Sequence, residues 1–485
     1  MPSRSKKSSL VPRGGSLSLT GVCAALLVAG CAQLPEMGPA PILKGVDAFL
    51  TADSFKAPAA NWPQDHWWSA YGDSQLDSLI EEALAGSPDM AAASARLQQA
   101  EALTRVAGSA GKPQASANAS VTEDKLSYNY LTPSEVIPRG WNDYGRATLD
   151  LRWELDFWGK NRAALAAATS ELEASRAELA QARLLLASGI AANYAELSRL
   201  YANRETAEKS VELRSKTAAL FAERFKNGLE NQGGAREADA RLAAAEGALL
   251  ALDEQIALQR NRLAALLGAG PDRGLKIAKP VLKFNRAFGL PEQAGADLLG
   301  RRPDVVAARL VADAQASRID QKKAEFYPNV NLMAFVGVQS LGINMLDNSG
   351  SAIGSVGPAI SLPIFTAGRL QGELRGAQAR YAQAVANYNG TVSRAMQEVA
   401  DAAVSQKSLG QRLEKAQQAV GASTEAYRVA GNRYEGGLAN YLEVLVAEDG
   451  LLNNMNVQTN LRSLSFTHDI ALKRALGGGY QVAQR

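Results

Sequence analysis

The sequence predicts an α+β membrane protein built from a duplicated unit, a β-hairpin followed by long coiled-coil helices. Three observations predict it: an internal repeat, period-two apolar alternation, and heptads running through long proline-free stretches. The repeat comes first. Pro88-Asp89 and Pro303-Asp304 lie 215 positions apart, and Pro113-Gln114 and Pro328-Asn329 keep that offset. Gly159-Lys160 pairs with Gly368-Arg369, Arg224-Phe225 with Arg433-Tyr434, and Gly228-Leu229 with Gly437-Leu438, all at an offset of 209. Asn231 and Asn440, and Leu267-Gly268 and Leu476-Gly477, share that offset. The shift from 215 to 209 falls between Pro113 and Gly159, so each copy carries a segment of different length there. Such self-similarity marks an architecture made by repeating one large unit.

The strands of the unit are read from alternation. Ala115, Ala117, Ala119 and Val121 alternate with Gln114, Ser116, Asn118, Ser120 and Thr122. Ala147, Leu149, Leu151, Trp153, Leu155 and Phe157 alternate with Arg146, Thr148, Asp150, Arg152, Glu154 and Asp156. A period of two with one apolar face is a strand signature, and runs of about ten residues cross a bilayer at a tilt. Trp141, Tyr144, Trp153 and Trp158 suit an interfacial aromatic belt. In the second copy Val330, Leu332, Ala334, Val336 and Val338 alternate, followed by Ile360, Leu362 and Ile364. Pro358 and Pro363 each remove a ladder donor, so that strand is expected to be bent or bulged. A soluble hairpin is the competing reading of these segments.

The helices are read from heptads. Gly159 to Gly228 contains no proline, and Leu165, Leu172, Leu179, Leu186 and Leu200 recur in register, with Asn193 at the missing step. Ala168, Ser175, Ala182 and Gly189 recur three positions along, and Leu374, Tyr381, Tyr388, Ala395, Ala402 and Leu409 keep the register in the second copy. Sustained heptads mark coiled-coil packing. Unbroken, seventy residues reach about 105 Å, with Gly189 and Gly390 as places for local breaks. Return helices are expected from about Ala235 to Leu267 and from about Leu442 to Leu476.

The N-terminus reads as a targeting segment. Arg4, Lys6, Lys7 and Arg13 precede an apolar run from Leu17 to Gly30, too short for an ordinary spanning helix. Leu10-Val11-Pro12-Arg13-Gly14 looks like part of a protease tag site, so the first dozen residues read as partly vector-derived. The run ends Val28-Ala29-Gly30-Cys31, which resembles a bacterial lipoprotein lipobox; Cys31 would then carry a covalent lipid and become the first residue. An ordinary secretory signal with an incidental cysteine is the alternative. Cys23 leaves with the signal, so the mature chain has no disulfide and must be held together by packing. Ala32 after the cysteine favours delivery to the outer membrane.

Composition excludes several classes. Lys and Arg number 52 against 49 Asp and Glu, a net charge of +3 that gives no support to nucleic-acid binding. His66 and His468 are far apart and in no metal-ligand spacing. No nucleophile elbow or dinucleotide fingerprint occurs, and Gly111-Lys112 runs into Pro113 instead of the Ser or Thr of a phosphate loop. The chain is expected not to be an enzyme and to need no cofactor or metal.

Topology then demands company. One chain supplies four strands, which cannot close into a membrane barrel, and open edges are not tolerated in lipid. Three chains would supply twelve strands and twelve long helices.

At this point the residues resemble a known family. The order Trp67-Trp68, Leu76 to Leu84, Pro88-Asp89, then Trp153-Glu154-Leu155-Asp156-Phe157-Trp158-Gly159-Lys160, Leu298-Leu299-Gly300-Arg301-Arg302-Pro303-Asp304 and Ala324-Glu325-Phe326-Tyr327-Pro328 is similar to bacterial outer membrane factors of tripartite efflux systems, the TolC/OprM type in its lipoprotein branch. The resemblance covers roughly Trp62 to Gly479. It implies a homotrimer whose twelve-stranded outer-membrane β-barrel continues into a periplasmic α-helical barrel, serving as a passive exit duct for drugs or other small toxic compounds. It implies a periplasmic adaptor and an inner-membrane transporter as partners, alongside outer-membrane lipid and the chain itself. The adaptor-contact tips would be Arg224, Gly228, Leu229 and Asn231, with Arg433, Gly437, Leu438 and Asn440. The periplasmic gate would be Leu442, Glu443 and Val446. Val446 departs from the aspartate common there, which replaces a double acidic ring by a partly apolar constriction. Glu443 also suits a merely solvated helix face, and Leu442 a packing seam. Two other functions stay open: a duct for type I protein secretion, and a non-porous coiled-coil envelope scaffold lipoprotein.

The expected organisation is a lipoprotein signal over 1–30 and an N-terminal periplasmic segment with the start of the first helix over 31–87. The first repeat covers 88–270, with strands about 113–158 and long helices about 159–267. An equatorial connector spans 271–302. The second repeat covers 303–479, with strands about 328–366 and long helices about 368–476, and a tail closes the chain over 480–485.

Overall fold

In the computed structural model, residues 38–39, 41–45, 48–129, 133, 135–282, 289–292 and 294–482 are described. The segment read as a signal, and Cys31 with it, lies outside the described residues.

The duplication is exact in the length of three helix pairs. Helices α2 (Pro88–Ser109) and α7 (Pro303–Ala324) have 22 residues each. Helices α3 (Lys160–Lys226) and α8 (Arg369–Glu435) have 67 each, and α4 (Gln232–Leu266) and α9 (Tyr441–Ala475) have 35 each. Shorter helices are α1 (Ser74–Gly86), α5 (Pro271–Leu275) and α6 (Ala294–Arg301). Gly189 and Gly390 sit inside α3 and α8 without breaking them. The copies differ in the hairpins. The strands β1 (Gln114–Asp124) and β2 (Asn142–Leu155) are joined through 125–141, whereas β3 (Asn329–Leu341) and β4 (Ala352–Ser361) are joined through 342–351. Among the described residues, no helix is long and apolar enough to cross a membrane.

The chain forms two compact units. The first holds the sheet, with residues 100–171 and 311–384. Its four strands run antiparallel in the order β1-β2-β3-β4. The register places like with like. Ala117 faces Leu149, which faces Val336, which faces Gly354; Ala115 faces Leu151, then Ala334, then Val356. The apolar rows of all four strands therefore fall on one side. The opposite side is polar over β1 and β2: Asn118 Nδ2 donates to Asp150 Oδ2 (2.9 Å), Thr148 Oγ1 to the same oxygen (2.7 Å), and Arg146 to Gln339 (3.1 Å). Met333 and Phe335 make that side less polar on β3, with the Arg146 guanidinium over the Phe335 ring at 5.3 Å. Tyr144 lies on the polar side, not with the aromatic residues of the apolar one. Pro358 does not bulge β4. The pairing with β3 runs unbroken past Leu332↔Pro358, because the fixed φ of proline fits an extended strand and costs the ladder at most one donor, and Pro363 lies beyond the strand. Gly337 lets β3 approach β2: a Cβ there would lie 2.1 Å from the Ala147 carbonyl oxygen.

The second unit is helical, with residues 42–99, 172–310 and 385–485. One core packs Trp67, Trp68, Tyr71, Leu76, Leu79 and Ile80 against Ile190, Tyr194 and Leu197 of α3 and Leu263 of α4. The other packs Leu298 and Val305 against Tyr388, Val392 and Val399 of α8 and Leu472 of α9. Asp73 caps α1 by accepting from the Gln75 amide (3.0 Å), and also accepts from the Tyr194 hydroxyl (2.8 Å) and the Val281 amide (2.8 Å). The leucine heptad is only half the seam of α3. Leu186 and Leu200 are buried, but Leu165 is exposed and Leu172 and Leu179 are intermediate. The buried row in that half of the helix is Ala167, Ala168, Ala174 and Ala177, small enough to let helices approach closely.

Arg302 is a buried cation of the second unit. It donates through Nε (3.0 Å) and Nη2 (2.7 Å) to Asp304, and through Nη1 to Glu398 (2.7 Å) and the Ala475 carbonyl (3.1 Å). One fork thus ties α7, α8 and the end of α9. Arg302→Ala leaves the acceptors unmatched and is expected to lower stability by roughly 3 kcal/mol, read as a lower urea midpoint of the helical signal; an unchanged midpoint would contradict this role.

Candidate functional site: the paired helix tips

Each long helix ends in the same stop. In the first copy the Gly228 amide donates to the Phe225 carbonyl (3.0 Å) and the Leu229 amide to the Arg224 carbonyl (2.8 Å). In the second the Gly437 amide donates to Tyr434 (3.0 Å) and the Leu438 amide to Arg433 (2.7 Å). This paired pattern closes a helix when the next residue is left-handed, and Gly228 (φ 71) and Gly437 (φ 75) supply that conformation without a Cβ penalty. Three residues on, the return helix starts on an asparagine cap. Asn231 accepts from the Gly234 amide (2.9 Å) and Asn440 from the Glu443 amide (3.1 Å). Leu229 and Leu438, at the turns, are exposed.

The two tips share a core. Phe221, Tyr434, Val444 and Leu445 are buried together with Ala218 and Ala238. Phe221 meets the Tyr434 ring at 5.1 Å and the Tyr441 ring at 6.1 Å. The Arg224 guanidinium lies 4.5 Å from the Tyr434 ring centre, and the Tyr434 hydroxyl donates to Glu230 (2.6 Å). Burial and the Glu230 carboxylate both push the Tyr434 phenol up, so it stays a donor. Residues from both copies are thereby locked into one tip.

Leu442 and Val446 are one helical turn apart on α9, 53% and 62% exposed, while Val444 and Leu445 between them are buried. The packing seam of the chain's own fold thus excludes Leu442. Glu443 is exposed beside them and pairs with Arg433 across the tip (3.3 Å). The structure brings Leu442, Glu443 and Val446 to the exposed side of the tip, next to Leu438 and Asn440.

A further charged group was not foreseen. Glu448 is buried on α9. It accepts from the Thr217 hydroxyl (2.6 Å), with Arg214 Nε at 3.9 Å. Its neighbour Asp449 takes Arg214 Nη2 (2.8 Å) and Arg241 of α4. The signal was there: Glu448 stands one turn after Val444 in a seam whose other members are apolar. Burial raises the Glu448 carboxyl above its ordinary range. Among the described residues, no group of three or more His, Cys, Asp or Glu is placed to hold a metal.

The fold accords with that of known proteins. The model of the family described as outer membrane efflux protein matches residues 79–269 and 295–478. The chain belongs to the outer membrane efflux protein family. It is similar in structure to the outer membrane protein VceC of Vibrio cholerae, at 48% identity and a TM-score of 0.83, over 87% of this chain and 100% of that one. It is 30% identical over 464 residues to the multidrug resistance outer membrane protein MdtP of Escherichia coli K12, covering 94% of this chain and 95% of MdtP. It is 38% identical over 371 residues to the fusaric acid resistance protein FusA of Burkholderia cepacia, covering 75% of this chain and 70% of FusA. Proteins of this family are efflux channels of the outer membrane with a large periplasmic helical part, not enzymes.

The Glu448 value sets a pH dependence. A raised folded-state value means that the folded chain takes up the proton more readily than the unfolded one. Stability from this group is therefore fully present below the ordinary glutamate range and is lost as pH rises through the raised value. Glu448→Gln keeps an acceptor for Thr217 without the charge. It is expected to melt higher than wild type at neutral pH and to gain less on acidification toward the ordinary glutamate range; parallel melting curves against pH would contradict the assignment.

Proposed function

We propose that three copies join edge to edge into a twelve-stranded outer-membrane barrel, continuous with a ring of helices, and that this channel is the passive exit duct of a tripartite efflux pump for small toxic compounds. The observation that carries it is the sheet. Both β1 and β4 are open edges, and the shared apolar side is bare, with Val336 62% and Val356 76% exposed. Hydrocarbon accepts that side, but it does not accept unpaired backbone donors and acceptors. Twelve strands lie within the range of such barrels. Asp150, Asn118 and Arg146 then line water. Exposed apolar side chains on the helices, such as Leu165 and Leu442, find partners on neighbouring copies.

In this reading 31–87 is the N-terminal periplasmic segment, 271–302 an equatorial connector between the repeats 88–270 and 303–479, and 480–485 a tail. Cys31 carries the lipid anchor after removal of 1–30. The tips at Arg224, Gly228, Leu229 and Asn231 and at Arg433, Gly437, Leu438 and Asn440 dock a periplasmic adaptor, which links the duct to an inner-membrane transporter. Leu442, Glu443 and Val446 narrow the periplasmic end, with Glu443 the charged ring and Leu442 and Val446 the apolar ones. Support for the gate is their joint exposure on one side of α9.

Purified trimers in a planar bilayer should give discrete conductance steps, and a silent bilayer from folded trimers would contradict the duct. Glu443→Ala should raise single-channel conductance or weaken cation preference, because it removes both a charge and the tether to Arg433; unchanged currents remove Glu443 from the gate. Cys31→Ser should abolish labelling by a radioactive fatty acid, whereas persistent labelling places the lipid elsewhere.

A further inference from the structure

We infer that the junction between strands and long helices holds the headgroup of a zwitterionic glycerophospholipid from the periplasmic leaflet of the outer membrane. A cavity of about 330 Å³ lies there, where β2 ends at Leu155 and α3 and α8 begin at Lys160 and Arg369. The inference rests on the membrane wall proposed above, which sets this junction at the level of lipid headgroups.

An aromatic shelf is fixed in place. Trp158 stacks on Tyr327 at 4.7 Å and 16°, and its indole N–H donates to the Pro328 carbonyl (2.9 Å). Yet Trp158 remains 52% exposed, and Phe157, Ile364 and Phe365 around it are exposed too. A rigid, half-exposed indole and phenol beside a cavity suit the boundary where acyl chains meet headgroups.

The polar lining carries both signs. Lys160 pairs with Glu154, and Asp156 caps α3 by accepting from the Asn161 (3.1 Å) and Arg162 (2.9 Å) amides. Arg369 uses Nη1 on Glu373 (2.8 Å), which also takes Lys322 (2.9 Å) and is held down to about 2 by these two cations, Lys322 foremost. Arg369 is exposed at the cavity rim, and most of its five donors are not engaged by Glu373. A planar fork of that kind takes a phosphodiester. Each carboxylate of the lining has a cation beside it, Lys160 at Glu154, Arg162 at Asp156 (3.5 Å) and Lys322 at Glu325 (3.0 Å), so the site is close to neutral overall. A net-neutral headgroup that carries its own ammonium leaves that balance unchanged while its phosphate meets Arg369, whereas an anionic headgroup adds an uncompensated charge. Phosphatidylethanolamine has this chemistry.

The test uses full-length trimers in mild detergent, with phosphatidylethanolamine or phosphatidylglycerol added. Bound lipid is counted by native mass spectrometry, and bilayer conductance is recorded from the same preparation. Wild type should retain phosphatidylethanolamine in preference to phosphatidylglycerol. Arg369→Ala should lower that retention by about tenfold, the size expected for one charge-assisted hydrogen bond. Trp158→Phe keeps the stack and serves as the variant less prone to misfold; it should lower retention about threefold, by loosening the shelf. Equal retention of the two lipids by wild type, or undiminished retention by both variants, overturns the headgroup site even where trimers conduct. Absence of conducting trimers overturns the membrane wall, and the site with it.

Discussion

A peptide group in hydrocarbon has no water to bond, so every strand crossing a membrane must have a neighbour on both sides. The sheet of this chain meets that demand internally for β2 and β3 and leaves it unmet for β1 and β4. Much else in the fold is intelligible from that asymmetry. The register collects the apolar rows onto one side, where Leu149, Val336 and Val356 are exposed. β1 is exposed along its whole length. An isolated copy would be an incomplete object with a hydrophobic face and two sticky edges, and assembly is the simplest remedy.

The duplication shapes the helical part in the same spirit. Paired helices of equal length arrive at the tips with the same glycine stop and the same asparagine cap, and the two tips share one core around Phe221 and Tyr434. Equality of length matters physically: a helix one turn longer would carry its tip about 5 Å past its twin and separate the aromatic residues that bind the copies together. The tips are accordingly firm, while Leu229, Leu438, Leu442 and Val446 stay exposed on them.

Much of this was legible in the sequence because local rules govern it. Alternation placed the strands, Gly228 and Gly437 placed the helix ends, and the change of offset located the unequal hairpins, all features decided within a few residues. What local rules could not reach was partnership at long range. Arg302 looks like one of two adjacent arginines until Glu398, almost a hundred residues on, is seen to receive it. Glu448 and Asp449 look like a solvated pair until Thr217, Arg214 and Arg241 close around them. In the first half of α3 the leucine heptad is not the row buried within the chain, since alanines can sit at a close helix contact that leucines would hold apart, and the periodicity of large residues does not reveal which row is innermost. Pro358 misled for a related reason: whether a missing N–H bends a strand depends on how its neighbours hold the register on either side, and the ladder with β3 is continuous past it.

The most direct test of the shared wall is crosslinking in the outer membrane. The sequence holds two cysteines, Cys23 and Cys31, both before the strands, so with wild type run as the control introduced cysteines report cleanly. With Ser355→Cys on β4 held constant, single cysteines are scanned along β1 from Ser116→Cys to Ser120→Cys, and the products are separated on denaturing gels after oxidation. Edge-to-edge assembly predicts covalent trimers that peak at alternate positions along β1, with the period of a strand. Monomers at every position, or dimers alone, would contradict a wall completed by three copies.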